Sequence, residues 1–398
     1  MSPYKFITIA MINFDNTQIA FGSKSNSDLK WSYRLFNLMS KPWLVKVGKV
    51  ATTIAFKLHL PIKGIIKKTI FKQFCGGENI KECEQRINQL AKFNIGTILD
   101  YSVEGKTSNE DLNNVKNEII ATIKKAKSSP HIPFSVFKPT GVVRFELLEL
   151  TNNPNAQLTP EIKEELATAI KRIDEICKVA YTEKVPLFID AEDSWIQDGI
   201  DRIVNAMMAK YNKQEVIVYN TIQMYRHDRL EFLKKSHQKA IENGYKIGMK
   251  IVRGAYMEKE RERAQKMGYP SPIHKNKQAT DKDYNLAVEY CINHLSTISF
   301  CAGTHNEQSS AKLAQWIKEK QISKSDKRIY FAQLLGMSDH ISYNLSHHGY
   351  NVAKYVPYGP IQEVMPYLIR RAEENTSVAG QTGRELSLII KELKRRKQ

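Results

Sequence analysis

The chain has 398 residues, a formal net charge of +18 and 42% hydrophobic residues. This length and composition are typical of a soluble globular protein with one large barrel or with two to three domains. The chain contains no run of about 18 apolar residues, which is the length that a membrane-spanning helix needs. The short apolar stretch at residues 6–12 lacks a cleavage site, so it is not a convincing signal peptide. We therefore expect a cytoplasmic protein.

Five scattered cysteines form no CxxC pair and have no Cys/His spacing typical of zinc. This pattern fits a reducing compartment, and we predict no metal site. The chain also lacks a GxGxxG motif after its first strand, a GxxxxGK[ST] loop and a GxSxG elbow. Their absence argues against a Rossmann dinucleotide site, a P-loop and hydrolase chemistry.

The first 95 residues contain helix-prone segments separated by glycines and prolines, which predicts a helical N-terminal arm over residues 1–95. Residues 41–72 carry eight lysines and no acidic residue, interleaved with apolar side chains. Such a basic amphipathic segment can lie on an anionic bilayer, here at the inner face of the cell membrane. It can equally pack its apolar side on the body of the protein, and the sequence leaves both interpretations open.

From residue 97 onward, short apolar strands alternate with longer helical segments. One helix start is indicated by Thr159, Pro160 and Glu161, which combine an N-cap, a first-turn proline and an early acid. Eight such strands over about 250 residues predict a (β/α)8 TIM-like barrel of the α/β class, with an open doubly wound sheet as the competing fold. We place this barrel at residues 96–378 and a basic C-terminal tail at residues 379–398. The predicted strands cover residues 97–103, 134–140, 186–192, 215–225, 246–256, 298–305, 328–336 and 351–359.

Charged or hydrogen-bonding residues close most of the predicted strands. Active sites of such barrels lie at the carboxyl ends of the strands, so we expect these side chains to meet at one rim. Each one alone is as readily explained by a loop salt bridge or an ordinary hydrogen bond. The residues concerned are Lys138, Asp190, Gln223, Lys250, Tyr256, Thr304, His305, Asn306 and Tyr355, and the apolar Leu334 stands near the end of the seventh strand.

A helical face late in the chain carries two adjacent arginines. Tyr367, Arg370, Arg371 and Glu374 have the i, i+3, i+4, i+7 spacing of one helix face. Two guanidinium groups favour a carboxylate or a phosphate, because each can donate two parallel hydrogen bonds. With Lys138 and Asp190, they predict a mixed-charge cluster that suits a zwitterion. Pro366 indicates that this helix begins or bends beside the arginines.

The chain resembles the flavin-dependent proline dehydrogenases, in particular their single-function, eukaryotic-like branch, along nearly its whole length. The resemblance implies a barrel that binds FAD at its mouth without a Rossmann fingerprint. It also implies oxidation of L-proline to pyrroline-5-carboxylate and transfer of the electrons to a quinone. The motifs that carry it are FDNTQIAF at 14–21, FIDAE at 188–192, KIVRGAY at 250–256, GTHN at 303–306, YVPYG at 355–359 and the most specific one, YLIRRAEENTS at 367–377.

The resemblance also implies roles for individual residues. Arg370 and Arg371, helped by Lys138, match the group that grips the substrate carboxylate, and Asp190 matches an acid beside Lys138 and the substrate amine. The walls around the proline ring correspond to Tyr256, Leu334, Tyr355 and Tyr367. Positions that contact or support FAD correspond to Gln223, Lys250, Val252, Gly254, Ala255, Thr304, His305, Asn306 and Glu374.

Three positions distinguish this chain within the resemblance. Lys250 stands where many bacterial members have Arg, and Met257 stands where bifunctional members have Trp. Tyr355 is Ser in the related hydroxyproline dehydrogenases, so the tyrosine favours proline, and a hydroxyproline-preferring enzyme is the close alternative. A non-catalytic basic barrel that binds membrane or nucleic acid is the alternative from another class. No helix-turn-helix, RNP or zinc pattern accompanies the charge, so we expect no nucleic-acid partner.

Overall fold

Eight parallel strands pair in chain order and close into a barrel. They are β1 (Ile95–Tyr101), β2 (Phe134–Phe137), β3 (Leu187–Ile189), β4 (Val218–Gln223), β5 (Ile247–Val252), β6 (Ile298–Gly303), β7 (Ile329–Leu334) and β8 (Val352–Tyr358). The pairing of β1 with β8, from Ile95 opposite Val352 to Tyr101 opposite Tyr358, completes the closure. The predicted (β/α)8 barrel is therefore confirmed, and the open sheet was the wrong alternative.

The computed structural model describes residues 12–377 and 381–398, with residues 376, 377, 381 and 382 described by their backbone alone. Most of the apolar stretch at 6–12 and the domain boundary predicted between 378 and 379 lie outside the described residues. The α-helices of the described part are α1 (Thr17–Ala20), α2 (Asn26–Met39), α3 (Pro42–Lys57), α4 (Lys63–Ile66), α5 (Lys72–Phe74), α6 (Ile80–Ala91), α7 (Asn109–Lys127), α8 (Phe145–Asn152), α9 (Pro160–Glu183), α10 (Ser194–Tyr211), α11 (Arg229–Glu242), α12 (Met257–Met267), α13 (Lys277–Asn293), α14 (Glu307–Glu319), α15 (Asp339–His347), α16 (Ile361–Ser377) and α17 (Gln381–Arg395).

Helices α1 to α6 precede β1 and lie within the residues 1–95 that we predict to be a helical arm, with a π-helical segment Lys67–Phe71 between α4 and α5. The C-terminal residues form α17, which packs against α2. Two of their basic side chains act within the molecule, because Arg395 and Arg396 both pair with the buried Glu392. Arg396 also donates hydrogen bonds to the carbonyl oxygens of Phe21 and Lys24, both 2.8 Å away. These contacts tie the end of the chain to the start of the arm.

Aromatic side chains fill the interior of the barrel. The rings of Phe134 and Phe188 stack with their centroids 4.3 Å apart, and Tyr219 meets both rings edge-on. The ring of Tyr355 is nearly parallel to that of Phe188, with their centroids 6.4 Å apart. The barrel is therefore a packed core rather than a pore, and its upper aromatic residues provide a floor for whatever binds at the rim.

All eight strands end before their predicted ends, and β2 and β3 each stop three residues early. β2 stops at Phe137, because Pro139 lacks the N–H that a strand ladder needs and starts a 3₁₀ turn over Pro139–Gly141. β3 stops at Ile189, so the residues that follow it lie in a loop. In that loop the Glu192 N–H donates to the side chain of Gln197 at 2.7 Å instead of to a neighbouring strand. Because these strands end early, the polar residues that follow them lie in loops at the rim.

Candidate functional site

The rim at the carboxyl ends of the strands holds a buried cluster around Lys250. Lys250 Nζ forms an ion pair with Asp190, which follows β3, and donates a hydrogen bond to Tyr355 Oη on β8 at 2.6 Å. The same ammonium lies 4.6 Å from the ring centroid of Tyr355 and 5.6 Å from that of Phe188. One anion, one hydroxyl and two aromatic faces therefore stabilise this buried charge.

Tyr355 is held in its neutral form at this place. Burial, followed by the nearby Asp190 carboxylate, raises the pKa of Tyr355 well above its usual value. Its hydroxyl is thus available as a donor, and Asp190 Oδ1 lies 3.4 Å from it. Leu334 is paired with Tyr355 in the β7–β8 ladder and packs against the apolar interior of the barrel. The cluster is therefore polar on one side and apolar on the other.

A second group of charges surrounds Lys138, which follows β2. Its Nζ lies 3.2 Å from both carboxylate oxygens of Asp100 on β1 and 3.6 Å from Glu104 Oε1. Burial alone would lower the pKa of Lys138, but these carboxylates outweigh it and raise the pKa above its usual value. Glu104 also lies 3.9 Å from Arg370 Nη2, so one carboxylate sits between two cations. The Arg370 guanidinium in turn lies 5.7 Å from the ring centroid of Tyr256.

Asp100 and Glu104 are the site residues that the sequence analysis missed. The first strand was predicted at 97–103, which placed Asp100 in mid-strand, whereas β1 ends at Tyr101. With the correct end of β1, the rule that polar residues at strand ends converge would have identified both acids. The partner of Lys138 is accordingly Asp100, and the partner of Asp190 is Lys250.

Helix α16 carries the two arginines over the rim. It begins at Ile361 and runs through Pro366, so the arginines lie well inside the helix rather than at its start. Arg371 pairs with Glu374 one turn later and stacks on the ring of Tyr367, 5.0 Å from its centroid. Burial raises the pKa of Glu374 against the opposing effect of the arginines. The two arginines therefore have different carboxylate partners, and Arg370 shares Glu104 with Lys138.

The residues matched to a cofactor line the rim along β4, β5 and β6. Gln223 ends β4, Val252 ends β5, and Gly254 and the exposed Ala255 follow. Gly254 has φ of +116°, and a Cβ atom there would lie 2.6 Å from the ring of Tyr225. Only glycine suits this turn, because φ is positive and the ring of Tyr225 occupies the space that a side chain would need.

The loop after β6 is ordered by its own polar contacts. Thr304 Oγ1 accepts a hydrogen bond from Arg253 Nη1 at 2.6 Å, and Asn306 Oδ1 accepts one from the Ser309 N–H at 2.9 Å to cap α14. Between them, burial and then the charge of Lys354 lower the pKa of His305 to about 3. His305 is therefore a neutral imidazole at pH 7, with Nδ1 2.9 Å from Ser338 Oγ.

Several buried polar atoms at this rim have no hydrogen-bond partner within residues 12–377 and 381–398. They are Gln223 Oε1, Tyr367 Oη and Arg371 Nε. An unsatisfied buried polar group costs about 1–3 kcal/mol, so such groups are rare in native structures. These three atoms could be satisfied by a bound molecule that supplies both donors and acceptors. In the same described residues, no group of His, Cys, Asp and Glu side chains could hold a metal ion.

Glu192 is a buried acid just below this rim. Its Oε1 accepts hydrogen bonds from the N–H and the hydroxyl of Thr140, each at 2.8 Å. Burial, with a smaller effect of Glu104, raises the pKa of Glu192 to about 7, although the two hydrogen bonds oppose the shift. Glu192 is therefore partly protonated at neutral pH in the folded protein.

We expect Glu192 to make the protein less stable as the pH rises from about 5 to 8. Over this range the native state holds a proton that the unfolded chain has released, so the free energy of unfolding falls with pH, by at most about 3 kcal/mol from this group. Glu192→Gln removes the effect. Denaturant unfolding at the two pH values measures it, and parallel pH profiles for wild type and variant would contradict it.

Comparisons with known proteins cover most of the chain. The family model described as Proline dehydrogenase matches residues 83–384. A relative from Dictyostelium discoideum, named Proline dehydrogenase 1, mitochondrial, is 33% identical over 96% of this chain and 74% of its own length. The Hydroxyproline dehydrogenase of Xenopus laevis is 30% identical over 94% of this chain and 88% of its own length.

The barrel is also similar to a solved structure of proline utilization A from Bdellovibrio bacteriovorus. The two superimpose with a TM-score of 0.71 at 20% sequence identity. The match covers 91% of this chain but only 38% of that longer one. At this level of identity the similarity concerns the fold, and it agrees with the (β/α)8 barrel.

Proposed function

The chain belongs to the proline dehydrogenase family, and from this premise we propose that it oxidises L-proline to pyrroline-5-carboxylate. FAD is the proposed cofactor and a quinone the proposed final electron acceptor. The observation that carries the proposal is the rim itself, where Lys138 and Arg370 flank a carboxylate while Asp190 lies in a separate, aromatic-lined cluster. A cyclic amino acid fits this arrangement, because its carboxylate can meet the cations while its amine meets Asp190.

The rim fits FAD as a cofactor in two respects. Gln223 Oε1 is a buried acceptor without a partner among the described residues. The neutral His305 adds no further positive charge to the rim. When bound, the flavin supplies the acceptor for a hydride. The residues proposed to hold it are Gln223, Lys250, Val252, Gly254, Ala255, Thr304, His305, Asn306 and Glu374.

The chain's own residues bind and orient the substrate in this proposal. Glu104 already holds a carboxylate 3.6 Å from Lys138 and 3.9 Å from Arg370, and the carboxylate of proline takes that place. Arg371 adds a second guanidinium through its unpartnered Nε. Asp190 faces the substrate amine and can accept its proton, while Lys250 stabilises the Asp190 carboxylate.

The remaining walls of the site are apolar or aromatic. Tyr256, Leu334, Tyr355 and Tyr367 surround the proposed position of the proline ring. Burial raises the pKa of both Tyr256 and Tyr367 well above the usual value, so neither brings a charge to the ring. A ring enclosed in this way by α16 is shielded from water, which protects a hydride transfer.

The first test is spectroscopic. Purified protein is expected to be yellow, with a flavin absorbance that bleaches when L-proline is added under anaerobic conditions. Bleaching reports electron transfer from the substrate to the cofactor, so it needs no quinone. Reoxidation by a soluble quinone then tests the acceptor separately. A colourless protein that does not take up FAD would contradict the proposal, and the non-catalytic basic barrel would then be favoured.

The carboxylate role of Arg370 can be tested by Arg370→Met. Removing one partner of a buried charge pair costs about 2–5 kcal/mol, so we expect the KM for proline to rise at least about thirtyfold while FAD stays bound. Arg328→Met is the matched control, since Arg328 lies at the opposite end of the barrel and pairs with Asp326. Steady-state kinetics and the flavin content provide the readouts. An unchanged KM would exclude Arg370 from substrate binding.

Hydroxyproline is the second candidate substrate, favoured by the match to a hydroxyproline dehydrogenase. Tyr355 decides between the two in our proposal, because its buried phenol takes up the space that a ring hydroxyl needs. Tyr355→Ser is expected to shift the ratio of kcat/KM values about tenfold or more towards hydroxyproline. Tyr355→Phe keeps the ring and should leave that ratio close to wild type. Equal ratios in all three proteins would rule out Tyr355 as the determinant.

A further inference from the structure

Helix α3 exposes an apolar stripe that is uncovered in the described part of the chain. Trp43, Val47, Val50 and Ile54 recur at helical spacing, so their side chains share one face. The residues that follow the helix add further exposed apolar side chains. The exposed fractions are 63% for Trp43, 57% for Val47, 59% for Val50, 50% for Ile54, 64% for Leu58 and 67% for Ile65. Contiguous apolar surface of this kind marks a contact site.

The stripe is not needed to hold α3 in place. Ala55 is buried on the opposite side of the helix, and Val45 and Phe56 pack against the apolar core of the arm. The packed arm suggested by the sequence therefore accounts for one face of α3 only. The other face has strongly apolar side chains directed away from the protein, which indicates that a binding partner covers them.

The charges around the stripe identify that partner. Three lysines of residues 41–72 have carboxylate partners, since Lys49 pairs with Glu373, Lys67 with Glu78 and Glu82, and Lys72 with Asp28. The other five form no ion pair within the described residues, and residues 41–72 contain no acid that could neutralise them. These five are Lys41, Lys46, Lys57, Lys63 and Lys68. An apolar stripe flanked by free ammonium groups matches the chemistry of an anionic lipid surface.

We propose that α3 and the segment up to Ile65 dock the protein on an anionic lipid bilayer. The stripe enters the boundary between headgroups and acyl chains, and the five lysines contact the headgroup phosphates. Among the described residues no helix has the length and apolar character to cross a bilayer, so this contact lies at the surface. A second copy of the chain fits less well, because a symmetric pair would bring ten unneutralised lysines together.

Docking at α3 would orient the proposed active site. α3 packs against α16, and Lys49 Nζ lies 2.8 Å from Glu373 Oε1 on that helix. Packed helices have axes about 8–10 Å apart, so the helix that covers the rim would lie next to the lipid. A lipid-soluble quinone would then reach the site without leaving the membrane. This consequence rests on the proposed function, whereas the docking itself does not.

Vesicle flotation with the full chain tests the docking. Wild-type protein is expected to float with vesicles of equal parts phosphatidylcholine and phosphatidylglycerol, and to dissociate as salt is added. Val47→Asp combined with Ile54→Asp should reduce the bound fraction at least about tenfold. Ile241→Asp is the matched control, because Ile241 is also 50% exposed but lies on α11, across the barrel. It should bind as wild type does.

The lysines are tested separately. Lys46→Gln combined with Lys57→Gln should weaken binding to the anionic vesicles about fivefold per lysine, without affecting any residual binding to pure phosphatidylcholine. All these positions are exposed, and circular dichroism checks that each variant is folded. Proline oxidation with a soluble dye, measured on the same samples, should be unchanged, because none of these residues lines the rim.

Three results would overturn the docking proposal. They are a wild-type protein that floats with neither vesicle, an Asp double variant that binds as well as wild type, and a solution dimer that the double variant dissociates in the absence of vesicle binding. The last result would assign the stripe to contact between copies of the chain. Protein that floats but does not oxidise proline would support the docking and overturn the proposed function instead.

Discussion

Closure of the sheet by pairing β1 with β8 is the constraint on which the rest of the structure depends. Seven residues of each strand pair in register, from Ile95 with Val352 to Tyr101 with Tyr358. Because all eight strands are parallel and the sheet has no free edge, every strand ends on the same rim. Asp100, Asp190, Lys250 and Tyr355 are remote along the chain, and closure brings their side chains together there. The aromatic stack around Phe188 blocks the barrel below and gives the rim a floor.

Burial of positive charge explains how the rim is arranged. A buried cation is costly unless a carboxylate and further hydrogen bonds compensate for its lost hydration. Lys138 meets Asp100, Lys250 meets Asp190, and Arg371 meets Glu374. The first two pairs each join two strands or the loops that follow them, so compensation of the charges also fixes the positions of the strand ends. A site built in this way is preorganised, because its dipoles and charges are in place before a ligand arrives.

The same principle joins the peripheral helices to the barrel. Asp339 at the start of α15 pairs with the buried Lys354 of β8 at 3.0 Å and with Lys24 of the arm at 3.2 Å. Arg396, which follows α17, adds hydrogen bonds to the carbonyl oxygens of Lys24 and Phe21 near the beginning of the arm. The arm is thus attached through buried ionic contacts on one side. Its other side, on α3, remains apolar and basic, which separates the part of the arm that stabilises the fold from the part proposed to meet a membrane.

The sequence by itself determined the barrel, because the alternation of eight apolar strands with helices admits few other packings. It also determined which polar residue types stand near the strand ends, and the arginine face of α16. Only the tertiary structure decided the partners: Asp190 with Lys250, Lys138 with Asp100, and Glu104 between two cations. The physical reason is that ion pairs at a barrel rim depend on where each strand stops. Because the predicted end of β1 lay two residues beyond the actual end, Asp100 was not recognised as a residue of the rim. Likewise, the pattern of α3 revealed an amphipathic helix, but only packing showed that its apolar stripe faces outward.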